Sequence, residues 1–145
     1  MDTKNFLVAV DGSENSMIAL QQAIEIAEKF KAKLYVIYVK NRNVPVVDSY
    51  LLEELIESNN RYSKAILDNA VKKVPDSVDV EGIMEIGDPA DQILKLVKEK
   101  SIDMVIIGSR GLGTIEGKIF GSVSQKVIQD AKCCVLVCKK ESKLF

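Results

Sequence analysis

Residues 103–138 read DMVIIGSRGLGTIEGKIFGSVSQKVIQDAKCCVLVC. DMVIIG (103–108) is a short, continuous apolar run, the pattern of a strand buried on both faces. A glycine-rich loop follows to Gly121, residues 122–131 have the composition of a short helix, and CCVLVC (133–138) is apolar again. Strand, loop, helix and strand in that order build a parallel sheet through right-handed crossovers.

The alternation continues toward the N-terminus. FLVAV (6–10) is a first buried strand, broken by Asp11, Gly12 and Ser13, of which Asp or Ser can cap the next helix. From 14 to 30, Met17, Leu20, Ala23, Ile24 and Ala27 recur at helical spacing, and AKLYVIYV (32–39) is the second strand. Residues 40–46 contain Pro45 and read as a loop. A long helix over about 47–73 follows, in which the poor helix formers Asn59 and Asn60 allow a break. VDVEGIMEI (78–86) is the third strand. Gly87 then turns the chain, Asp88 caps, Pro89 suits the first helical position, and Asp91 is placed for a capping box. The expected fold is one α/β domain over residues 1–145, a doubly wound, Rossmann-like, five-stranded parallel sheet with helices on both faces.

Composition narrows the function. The 145 residues suit one domain with a real core, and 28% charged and 47% apolar residues are ordinary for a globular protein. A net charge of −1 offers no basic face for nucleic acid. The opening MDTKNFLVAVDGS lacks the pattern of a secretory signal and no apolar run reaches membrane-spanning length, so a cytoplasmic protein with no membrane partner is expected. There is no histidine, which removes the usual imidazole base and the commonest zinc ligand. Cys133, Cys134 and Cys138 have no spacing suited to a metal site and read as small core residues.

The chemistry lies in the loop from Gly108 to Ser124. Glycines let a ligand approach the backbone, successive amides form a concave anion site, and the loop ends at a helix N-terminus that favours phosphate. Ser122 and Ser124 add hydroxyls; Arg110 and Lys118 add charge. The Walker pattern fails, because three residues rather than four separate Gly113 from Gly117-Lys118 and Ile119 stands where a hydroxyl is needed. The dinucleotide fingerprint fails at Glu116. The plain alternative is a connection with no ligand.

The spacing that fits is Gly108, two residues, Gly111, nine residues, then Gly121-Ser122. With VAVDGSENSMIAL, GDPADQIL, IIGSRG and GSVSQKVIQDAKCCVLV, this chain resembles the universal stress proteins of the ATP-binding type over nearly its whole length. The resemblance implies strand order 3-2-1-4-5, a homodimer and an ATP site, with Mg²⁺ accompanying the phosphates. It implies Val10 among the binding residues, Asp11 and Val39 near adenine and ribose, and Gly108, Gly111, Gly121, Ser122 and Val123 on the phosphate side. That order puts the switch-point crevice between strands one and four, whereas the flavodoxin-like order would put it between one and three, at Gly87-Asp88-Pro89, which makes no comparable cradle.

Asp11 has a plain alternative as an N-cap, Val39 as an ordinary strand residue, and Arg110 and Lys118 as solvated charges. The last strand would be an apolar edge, which pairing with its copy across a two-fold axis would cover. Three functions fit: an ATP-dependent switch or regulatory module of a stress response, a slow ATPase, or a stress-related interaction protein without meaningful ATP binding. Hydrolysis has thin support, since Asp11 or Glu116 would have to act as base; no catalytic residue is assigned.

Overall fold

The structure, a computed structural model, describes residues 3–40, 48–110, 121–140 and 144. Its elements run β1 (Asn5–Ala9), α1 (Glu14–Phe30), β2 (Lys33–Lys40), α2 (Ser49–Lys72), β3 (Val80–Ile86), α3 (Pro89–Glu99), β4 (Met104–Gly108), α4 (Ser122–Asp130) and β5 (Cys134–Cys138). All strand pairs are parallel, in the order β3-β2-β1-β4-β5. This is the expected doubly wound α/β fold.

The two-residue period of β1 divides its side chains between two cores. Phe6 and Val8 join α1 and α2 residues such as Leu20, Ala23 and Leu67 on one face. Leu7 joins Ile93 and Leu96 of α3 and Val127 of α4 on the other. Leu7 and Val8 are both fully buried, each contributing roughly 1.5–3 kcal/mol by leaving water.

Local signals explain the helix ends. Ser13 caps α1, its hydroxyl accepting the Ser16 amide at 3.2 Å. Asp88 caps α3 through the Asp91 amide at 3.0 Å, with Pro89 in the first turn. Three readings of the sequence need correction. Asp11 is not the cap of α1; its carboxylate accepts the Ser13 amide at 2.8 Å, closing the turn before the helix. The Asp91 carboxylate does not complete a capping box but pairs with Lys126 of α4. Finally, α2 is unbroken at Asn59 and Asn60. The Ser63 hydroxyl donates to the Asn59 carbonyl at 2.8 Å, and a cost of a few tenths of a kcal/mol per asparagine does not stop a helix of this length.

Candidate functional site at the carboxyl edge

In an open parallel sheet, the loops at the carboxyl ends of neighbouring strands diverge where the winding reverses, leaving a crevice. Here β1 and β4 are adjacent, paired from Phe6↔Met104 to Val8↔Ile106. The chain leaving β1 enters α1 on one face, and the chain after β4 enters α4 on the other. The crevice therefore opens between Ala9 and Gly108.

The β1 side is a rigid turn. Gly12 has φ +86°, a conformation that strongly favours glycine. Besides the Asp11–Ser13 bond, the Asp11 amide donates to the Ser16 hydroxyl at 3.2 Å, and that hydroxyl donates to the Ser13 carbonyl at 3.0 Å. Ser16 is buried and holds the turn. Sequence reasoning missed it, because a serine at this position is not a capping-box signal. Val10 is also buried: its side chain packs in the α1–α2 core and its amide donates to the Ile37 carbonyl at 2.9 Å. Val39, partly buried, packs on the α3–α4 core near the end of β2.

The β4 side is joined to α4 by a small network. The Ser109 amide donates to the Cys138 carbonyl and the Gly121 amide to the Ser109 carbonyl, both at 2.8 Å. The Ser124 hydroxyl, 2% exposed, lies 3.1 Å from the Gly108 carbonyl and 2.9 Å from that of Ser109. A hydroxyl has one proton to give. Ser124 is thus committed to fixing the end of β4 against α4 and is a positioning residue. Ser122 is exposed and Val123 partly buried against the second core. Arg110 is exposed; Gly111, Glu116 and Lys118 lie outside the described residues.

The glycines differ in what they do. A Cβ on Gly108 would lie 2.9 Å from the Asn15 carbonyl carbon and oxygen and 3.0 Å from its Cβ. Gly108 makes room for the first turn of α1. Gly121 is the N-cap of α4, with φ −74° and ψ 166°, and brings no side-chain acceptor to the first-turn amides. By contrast, Ser13, Asp48 and Asp88 each cap their helices with a side chain. Among the described residues no side chain caps the start of α4, whose positive dipole end suits an anion.

Lys126 is held by Asp91 and Asp88. The hydrogen bond to Asp91 leads the influences that raise its pKa, favouring the charged form at this exposed α3–α4 contact. Burial likewise pushes the Cys138 thiol up to about 11. Cys138 is buried in the α1–α2 core and Cys133 partly buried against the other, but Cys134 is exposed, so the reading of all three as core residues holds only in part.

A sheet wound 3-2-1-4-5 with its reversal at β1 and β4 defines a Rossmann-like α/β domain. The pattern of the universal stress protein family matches residues 2–139. Universal stress protein YxiE of Bacillus subtilis is 37% identical over 141 residues, covering 90% of this chain and 95% of that protein. The structure of UspA from Lactobacillus plantarum superimposes with a TM-score of 0.83 at 24% identity, covering 95% of this chain and 99% of the other. A universal stress protein in complex with cAMP superimposes with a TM-score of 0.74 at 26% identity, over 97% of this chain and all of the other. The chain belongs to the universal stress protein family.

Proposed function

We propose that this protein binds ATP in the crevice between β1 and β4 and acts as a nucleotide-dependent regulatory module in a cytoplasmic stress response. The observation that carries the reading is the start of α4 on Gly121, beside the β4 end that Ser124 fixes. An uncapped helix start at a switch point suits an anion, and fixed amides lose little freedom on accepting one. The cAMP complex of a related protein supports an adenine nucleotide as the source of that anion. The Asp11 turn and Val39 lie toward β2, where ribose and base would extend.

Among the described residues no cluster of three His, Cys, Asp or Glu is placed to hold a metal. In this reading Mg²⁺ arrives with the phosphates, which usually supply part of its coordination. The chain brings no histidine, and the Asp11 carboxylate is engaged by the Ser13 amide. We propose binding as the main activity, with hydrolysis weak at most; the other candidate base, Glu116, lies outside the described residues. In this reading β5 pairs with its copy in a homodimer: it is a sheet edge, and Val135, Leu136 and Val137 are only partly buried.

The test is calorimetric titration of Mg-ATP into the protein and into Gly121→Val. The φ of −74° and ψ of 166° at Gly121 are a backbone conformation that valine adopts, and circular dichroism checks that the variant is folded. Binding by the parent and loss in the variant are expected. Equal affinity in a folded variant would overturn the placement of the phosphates.

A further inference from the structure

The helix α2 is longer than the sheet needs. Its buried residues, Ser63, Leu67 and Ala70, all lie in its C-terminal half. Leu51 and Leu55 in the other half and Tyr62 just past the middle are exposed, yet they share one helical face with Ile66, which packs against the α1–α2 core. The apolar face thus continues beyond the part the core uses.

Where the core ends, that face meets the nucleotide crevice. A Cβ placed on Gly12 would lie 3.1 Å from Ile66 Cδ1 and 3.7 Å from the Tyr62 hydroxyl oxygen. Gly12 adjoins Asp11, so the Tyr62 hydroxyl stands at the turn that forms the β1 wall. The residue is nevertheless 54% exposed. Its hydroxyl end stands at the Gly12 turn, and much of its surface is open beside the candidate crevice.

We propose that Tyr62, backed by Ile66, contacts the nucleoside half of the adenine nucleotide and so sets affinity for base and ribose. The proposal rests on the nucleotide-binding reading above. The phosphates belong to the start of α4, on the α3–α4 face, whereas α2 lies on the α1–α2 face. In that reading the nucleoside lies by the Asp11 turn, where Tyr62 offers it an aromatic face and a hydroxyl that both donates and accepts.

The test compares adenosine, AMP and Mg-ATP as ligands of the parent protein, Tyr62→Ala and Gly121→Val. Because Tyr62 is exposed, Tyr62→Ala should keep the parent melting temperature without ligand. Expected is a loss of about tenfold for all three ligands in Tyr62→Ala, the scale of one base–aromatic contact. Gly121→Val should weaken Mg-ATP far more than adenosine. If the parent binds Mg-ATP and Tyr62→Ala binds all three ligands equally well, or loses only Mg-ATP, the role of Tyr62 is refuted and the crevice stands. If the parent binds no adenine compound, both readings fall.

Discussion

Replacing Gly108 with alanine should destabilise the protein even when no nucleotide is present. The added methyl would stand 2.9 Å from two Asn15 backbone atoms, which cannot rotate away. Relief requires α1 or the end of β4 to shift by several tenths of an ångström. The first turn of α1 is held by the Ser13 cap and by the Asp11–Ser16 bond, while Gly108 is held by pairing with Cys138 and by the Ser124 hydroxyl. Overpacking of this kind costs about 1–3 kcal/mol. For a domain of this size the melting temperature should fall by roughly 3–10 °C. In urea the midpoint should fall by about 1 M at an unchanged slope. Both are measured on nucleotide-free protein by circular dichroism. An alanine variant as stable as the parent but deficient in Mg-ATP binding would refute the reasoning, because it would mean that Gly108 clears space for ligand rather than for α1.

Other substitutions separate scaffold from site. Ser124→Ala should cost about 1–2 kcal/mol in urea denaturation, because the Gly108 and Ser109 carbonyls lose a buried donor, and should weaken Mg-ATP as the start of α4 loosens. The Cys138 thiol is neutral in the fold with its pKa raised to about 11 from 9.0, so its contribution is complete below pH 9 and is lost as pH rises through 11. That loss is of order 2 kcal/mol; Cys138→Ala should show a shallower fall in urea midpoint over this range than the parent does. Leu136→Lys should convert a dimer to monomers in sedimentation, with the circular dichroism spectrum retained; an unaltered dimer would place the interface elsewhere than β5.

Much of the fold was legible because β1, β2, β4 and β5 are compact apolar runs and the starts of α1 and α3 carry ordinary caps. The range of α1 agrees with its expected limits, and β1, β2, β4 and β5 fall within one residue of theirs. The third strand starts at Val80 rather than at 78 because Val78 belongs to the preceding turn, its amide bonded to the Pro75 carbonyl at 3.0 Å. The sequence marks a candidate crevice but not the structural roles of the residues around it. Spacing marks Gly108 and Gly121 alike, yet only packing against Asn15 shows that Gly108 serves the scaffold. Ser124 reads as a phosphate donor until its hydroxyl is found between two carbonyls. The approach of Tyr62 to Gly12 joins residues 50 positions apart, and no local pattern reports it.

Amide chemical-shift mapping during a Mg-ATP titration would locate the ligand residue by residue. Asp11 to Ser13 and Gly121 to Ser124 should shift together and saturate with one affinity, while the amides around Gly87 and Pro89's neighbours at the end of β3 stay still. Absence of any saturable shift, or shifts centred on the end of β3, would contradict a nucleotide held between β1 and β4.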